Sequence, residues 1–258
     1  MRVPLRRGEA VFGDRRGGGT GREEDSALLA FAREAFGSGV PVLYGRQRHT
    51  TLSFCYSSDG DPPLGAVCVG TCDALITASP EVILAVRTAD CLPVALAGCD
   101  AVAMVHAGWR GLAGDILGRV VRRLQVEFCE PSHGLQAVIG VGIGPCHYRV
   151  GEEVRAGLCA WDVGTEPWEH SGAVDLAAWA RGRLQILGLP PDAITAIPGC
   201  TYCSGDHHSH RRDGVHAGRQ WAGIRRNPDP GVTTSASAGS PGVGHKPRIP
   251  PAPCSTGR

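Results

Sequence analysis

Cys91 and His106 are the residues of this chain whose placement offers the most chemistry. Cys91 stands between two short apolar runs, Val82–Val86 and Leu92–Leu96, and His106 follows a third, Ala101–Val105. Runs of this length, partly β-branched and separated by turn-like pieces such as Gly98-Cys99-Asp100, read as strands. Ends of adjacent strands lie close together, so a thiolate and an imidazole can meet there. Such a pair supports metal ligation or a nucleophilic cysteine activated by a histidine. The plain alternative is a core cysteine and a strand-end histidine that never touch, because buried cysteines are common. Ala107 and Gly108 leave room for something to approach the backbone beyond His106.

Other candidates are scattered. His49 closes the polar stretch Gly45-Arg46-Gln47-Arg48 and by itself reads as a loop histidine. Asp73 precedes the apolar Ala74-Leu75-Ile76, where a turn or cap carboxylate is the default. Cys200 and Cys203 form one C-x-x-C, half of a zinc ribbon or a redox pair. Lacking a second such pair, they are expected to stand outside the working metal site. Cys146 is a possible fourth ligand that would close the site and make the metal structural. His208 and His210 would share a face on a strand, but copper oxidases need several His-x-His pairs and this chain has one. Arg211 and Arg212 beside Asp213 are either a solvated charge cluster or an anion clamp.

These residues need elements to hold them. Asp25 is placed to cap a helix from Ser26 to about Phe36, stopped by Gly37. Gly108-Trp109-Arg110-Gly111 leads into a helix with Leu112, Ile116, Leu117, Val120, Val121 and Leu124 on one face. Ala137–Val141 reads as a strand entering Gly142-Ile143-Gly144-Pro145. Asp175 can cap a helix to about Leu187, and Ile194–Ile197 is a strand before Cys200. Strands and helices interleave without strict alternation, which favours a mixed α/β layered fold.

Composition sets the limits. The 258 residues carry a net charge of +1, so no global field invites nucleic acid or an acidic membrane surface. No apolar stretch approaches the roughly 20 residues of a membrane helix, and the arginine-rich Met1–Ala10 has no apolar run of a secretory leader. With 11 cysteines and no export signal, the reading is a cytoplasmic protein with reduced thiols. From Asn227 to Arg258 prolines, glycines and small polar residues dominate and aromatics are absent, so 227–258 is expected to be a disordered tail.

Four segments together carry a family resemblance. They are Thr88-Ala-Asp-Cys-Leu-Pro-Val94, Val105-His-Ala-Gly-Trp-Arg-Gly111, Ile143-Gly-Pro-Cys146 with Val150-Gly-Glu-Glu-Val154, and Cys200-Thr-Tyr202 with Arg211-Arg-Asp213 and Gly218-Arg219. In order and separation they resemble the purine nucleoside phosphorylase family of the laccase-domain type, formerly called polyphenol oxidases. The similarity runs from about Phe12 to Arg226. The chain departs from the family at Thr50, where glycine is usual, and at His207-His208, where an aromatic pair is usual.

The resemblance implies a single α/β domain over 1–226, a four-layer α/β/β/α sandwich with mixed sheets. It implies a mononuclear zinc site whose ligands fall on His49, Cys91 and His106, with copper as the less favoured metal. It implies action on purine nucleosides: phosphorolysis of adenosine, inosine, guanosine and methylthioadenosine, and deamination of adenosine. Three protein ligands leave a position open, as catalytic zinc requires. Phosphorolysis also needs a cationic pocket, for which Arg110, Arg211 and Arg212 are the candidates. Asp73 is the carboxylate that would position the base or shuttle a proton. The competing reading is a cysteine hydrolase with a Cys91–His106 dyad.

Overall fold

The computed structural model describes residues 1–17, 24–37, 39–58, 63–164 and 167–229. The chain opens with a hairpin, β1 (Arg2–Leu5) and β2 (Gly8–Phe12), followed by α1 (Glu24–Phe36) and five short strands: β3 (Val42–Tyr44), β4 (Ser53–Tyr56), β5 (Ala66–Cys68), β6 (Ala74–Thr77) and β7 (Ile83–Thr88). The middle holds β8 (Leu92–Ala97), β9 (Val102–Ala107), α2 (Trp109–Ala113), α3 (Ile116–Phe128) and β10 (Gln136–Ile139). Then come α4 (Glu152–Cys159), the small pair β11 (Glu169–His170) and β12 (Ala173–Val174), and α5 (Leu176–Ile186). The last elements are β13 (Ile194–Ala196), the single turn α6 (His210–Asp213) and β14 (Gln220–Arg226).

Two six-stranded sheets result, in the orders β1-β2-β14-β7-β3-β5 and β13-β10-β8-β9-β6-β4. Both are mixed. In the first, β14 runs antiparallel to β2 and β7, while β3 pairs parallel with β7 and β5. In the second, β8 lies antiparallel between β9 and β10, and the outer pairs β10–β13 and β6–β4 are parallel.

Side-chain alternation turns these sheets into four layers. On β7, Leu84 and Val86 join the cluster that also holds Met104 and Val102 of β9, between the sheets. Ile83 and Ala85 of the same strand point the other way, against Leu28, Phe31 and Ala35 of α1. On β9, Ala103, Val105 and Ala107 face Leu112, Ile116 and Val120 of α2 and α3, with Trp179 of α5 in the same cluster. Three apolar layers therefore separate a helix, two sheets and a second set of helices, which is the α/β/β/α sandwich. Both faces of the central strands are buried, which explains why they read as continuous apolar runs.

Three local expectations are corrected. Asp25 does not cap α1; it lies inside the helix, where its carboxylate accepts the Tyr44 hydroxyl at 2.6 Å. His208 and His210 do not share a strand face, because His210 opens the helical turn α6. The single helix expected after Gly111 is two. Asp115 breaks it with a left-handed backbone (φ 60°) and caps α3 by accepting the Gly118 N–H at 3.2 Å. Of the tail, residues from 230 onward lie outside the described residues.

Asp115 also receives a bidentate pair of hydrogen bonds from Arg183 of α5, both at 2.9 Å, in a largely enclosed setting. Removing one partner of such a pair strands the other charge, at about 3–5 kcal/mol. Arg183→Ala should therefore lower the melting temperature by roughly 6–20 °C for a domain of this size. A thermal melt within a degree of the parent would show that this bridge does not tie α5 to α3.

Candidate metal centre and cleft

The three ligand candidates arrive from both sheets. His49 follows β3 of the first sheet, Cys91 lies in the connection from β7 of the first to β8 of the second, and His106 is in β9 of the second. Their ligand atoms all lie within 4.8 Å of one another. The Cys91 Sγ is 3.6 Å from His49 Nε2, and the two imidazole rings cross edge to face with centroids 4.9 Å apart. His106 is buried, whereas His49 is exposed.

Asp73 builds this site from behind. It is fully buried and does not line the cleft; its Oδ1 bonds His106 Nδ1 at 2.8 Å, leaving Nε2 for the cluster. The same carboxylate accepts the backbone N–H groups of Arg48, His49 and Thr50, at 3.2, 3.0 and 2.7 Å, and the Thr50 hydroxyl at 2.7 Å. This ring of donors holds His49 in a left-handed conformation (φ 59°). Burial opposes the charge on Asp73, but the bonds from His106, Thr50 and Arg48 outweigh it and keep the carboxyl well below its usual range. Asp73 is thus a positioning residue for both histidines. Buried and off the cleft lining, it does not reach a base bound there.

Electrostatics of the trio favour a thiolate. Burial works against charge on Cys91, but His106 and His49 prevail and bring the thiol down to about 6. His106 moves the opposite way, up to about 9, because Cys91 and Asp73 overcome its burial. A soft sulfur and two imidazole nitrogens form a donor set for zinc or copper, and the carboxylate behind one histidine is the usual orienting partner of a metal-bound imidazole. The space is kept open by Gly108. A Cβ added there would lie 2.7 Å from Cys91 Sγ and 2.9 Å from His49 Cδ2. The residues therefore fit a metal ion.

The trio opens into a cleft of about 530 Å³, lined also by Trp109, Tyr148, Asp90, Arg87, Arg110, Arg211 and Arg219. Arg110 stacks on Trp109 at 4.4 Å and Arg211 on Tyr148 at 5.2 Å. Asp90, also at positive φ (88°), ties the walls together by accepting the Thr201 hydroxyl at 2.6 Å and the Arg211 backbone N–H at 2.7 Å. Arg87 and Tyr148 were not singled out from the sequence, and Asp90 and Arg219 stood in the family segments without a role in the site. Arg87 precedes Thr88-Ala-Asp-Cys91 and Asp90 lies within it, so that segment was the available signal for two of them.

Arg212 is corrected. It is absent from the cleft lining, and its guanidinium donates to the carbonyls of Thr201, Tyr202, Ser204 and His207 while pairing with Asp213. Its donors are taken up in bracing the 201–207 loop. Cys146 is likewise not a fourth ligand of the trio; it lies with His147, Cys200 and Cys203 in a separate group.

Residues 25–227 match the family model described as multi-copper polyphenol oxidoreductase laccase. A purine nucleoside phosphorylase of Xylella fastidiosa is 42% identical over 167 residues, 59% of this chain and 62% of the relative. One of Deinococcus radiodurans is 36% identical over 170 residues, covering 64% and 66%. An adenosine deaminase from an unknown prokaryotic organism is 34% identical over 166 residues, covering 60% and 62%. The chain thus spans a little under two thirds of the length of these relatives. Among solved structures, a Neisseria meningitidis protein is 27% identical with a TM-score of 0.73, covering 88% of this chain and 99% of that one. Among the described residues, no helix is long and apolar enough to cross a membrane.

Proposed function

Since the chain belongs to the multi-copper polyphenol oxidoreductase laccase family, whose relatives here are by name phosphorylases and a deaminase, we propose that it is a zinc-dependent purine nucleoside enzyme. The reading rests on one observation: the Cys/His trio shares a cleft with four arginines and one carboxylate, Asp90. A cationic cleft of this size suits phosphate together with a nucleoside. Multi-copper oxidation gains no such support. Among the described residues the trio holds two histidines and the second Cys/His group one, whereas coupled copper centres need many more.

His49, Cys91 and His106 would hold the zinc, which supplies a Lewis acid with an open coordination position. The remaining chemistry falls to the chain. In phosphorolysis, a phosphate oxygen bonds to the sugar C1′ as the bond from C1′ to the purine nitrogen breaks, and the purine leaves with a proton. Arg110 and Arg211 hold the phosphate, their planes fixed by Trp109 and Tyr148. The same aromatic walls offer faces for a purine ring. Deamination adds water to C6 of adenosine and releases ammonia. Both substrate chemistries are accommodated in one cleft.

The cysteine-hydrolase reading is less well supported, because Cys91 is flanked by two imidazoles rather than paired with one. Incubating the purified protein with adenosine and inosine, with and without phosphate, tests the proposal. Free base and ribose 1-phosphate should appear only with phosphate, and inosine and ammonia should form from adenosine without it. Absence of all these products from zinc-loaded protein would overturn it.

The arginines separate cleanly. Losing a charge-assisted hydrogen bond costs about 1.5–3 kcal/mol, so Arg211→Ala should raise the KM for phosphate by roughly tenfold or more. Arg212→Ala should instead lower thermal stability, leaving four loop carbonyls without their donor. The reverse pattern, a phosphate defect only in Arg212→Ala, would return the clamp to Arg212.

A further inference from the structure

We propose that Cys146, His147, Cys200 and Cys203 form a second metal site, a closed four-ligand zinc centre separate from the cleft trio. The four residues come from two loops that leave neighbouring strands of the second sheet. Cys146 and His147 follow β10, Cys200 and Cys203 follow β13, and β10 and β13 pair in parallel, so both loops emerge at one end. The donor missing from the lone C-x-x-C is therefore an adjacent Cys-His, not another C-x-x-C.

Geometry supports ligation. One donor atom from each residue lies within 4.8 Å of all the others. Cys146 Sγ is 3.6 Å from Cys203 Sγ, and Cys203 Sγ is 3.2 Å from His147 Nδ1. Tetrahedral zinc, with bonds of about 2.3 Å to sulfur and 2.0 Å to nitrogen, spaces its ligands about 3.5–3.8 Å apart. The Cys146–Cys203 and Cys203–His147 pairs lie within a few tenths of an ångström of that spacing.

The surroundings are arranged for a thiolate cluster. The Gly144 N–H donates to Cys200 Sγ at 3.2 Å. The His147 ring stacks on Tyr202, centroids 4.0 Å apart and planes 14° apart, which fixes the direction of Nδ1. Gly144 permits the close approach of the loops, since a Cβ there would lie 3.2 Å from Cys200 Cβ and 3.4 Å from Cys146 Sγ.

The two sites differ in kind. The trio has three donors and faces the cleft; the quartet has four and leaves no position open, as in structural zinc sites. A metal in the quartet would bind the 143–148 loop to the 200–204 loop. The first carries Ile143 and Tyr148 of the cleft wall, and the second carries Thr201, which holds Asp90. The second zinc would thus stiffen one wall of the cleft without touching substrate.

Metal counting on full-length protein, produced with zinc under reducing conditions, tests this. We expect two zinc ions per parent chain, one in Cys203→Ser and one in Cys91→Ser. No ion in Cys91→Ser, or equal counts in the parent and Cys203→Ser, would overturn the second site. Should Cys203→Ser fail to fold, metal-free Cys91→Ser is titrated with cobalt(II) alone. One equivalent should bind with strong sulfur-to-cobalt charge transfer and tetrahedral d–d bands. No such spectrum, or a Cys146–Cys203 disulfide in the reduced preparation, would overturn the proposal. Because the trio is read out by the difference between parent and Cys91→Ser, the two sites stand or fall separately.

Discussion

Cys91→Ser should lose the zinc of the cleft and lower both nucleoside activities by about three orders of magnitude or more, roughly 4 kcal/mol of transition-state stabilisation. Serine nearly keeps the size of the side chain but replaces a thiolate by a poor ligand. With only His49 and His106 left, neither affinity nor geometry can be maintained. The fold should survive, because its three apolar layers are built from strands and helices away from Cys91. Circular dichroism and a thermal melt check that, with a modest fall in melting temperature from the lost metal linkage. Activity alone cannot separate a ligand from a nucleophile, since both roles fail in serine. Metal content can. A folded, inactive Cys91→Ser carrying as much zinc as the parent would dismiss the ligand assignment and favour the cysteine hydrolase.

Asp73→Asn should damage the same site from behind, with a different signature. Asp73 Oδ1 receives His106 and the His49 N–H, while Oδ2 receives the Arg48 and Thr50 N–H groups and the Thr50 hydroxyl. An asparagine has one oxygen. Whichever way the amide turns, its NH₂ faces donors at a fully buried position. The expected loss is about 3 kcal/mol of folding stability, or roughly 6–12 °C in melting temperature. Zinc affinity should fall about 10–100-fold through the misplaced histidines. Competition with a chelator measures the second effect, and excess zinc should restore much of the activity. A merely structural residue would lower the melting temperature without that zinc-dependent rescue. Unchanged zinc affinity in a destabilised Asp73→Asn would remove its role as positioner of His106 and His49.

The sequence by itself marked the central layers and named the three residues that gather at the cleft. Val82–Val86, Leu92–Leu96 and Ala101–Val105 were legible as strands because both faces of each are buried, so the apolar runs are continuous. Thr88-Ala-Asp-Cys91 and the segment opening at Val105-His106 are local strings, and the resemblance they carried pointed to His49 as the third partner. β14 was not legible, although it lies between β2 and β7 at the heart of the first sheet. Gly223 and the two arginines at its end break the apolar run, and only its neighbours bury Gly223 and Arg226.

Tertiary structure decided what the remaining polar residues do. Arg211 and Arg212 are adjacent and chemically identical, yet one stacks at the cleft and the other is enclosed by four carbonyls. Asp73 reads as a turn carboxylate, and its role depends on a backbone ring contributed by residues more than 20 positions away. Cys146 and Cys203 are 57 residues apart and come together only because β10 and β13 are parallel neighbours. Hydrophobic periodicity is a local property and survives in the sequence. The partners of a hydrogen bond or a thiolate are set by which loops the sheets place side by side, and one-dimensional spacing carries no record of that.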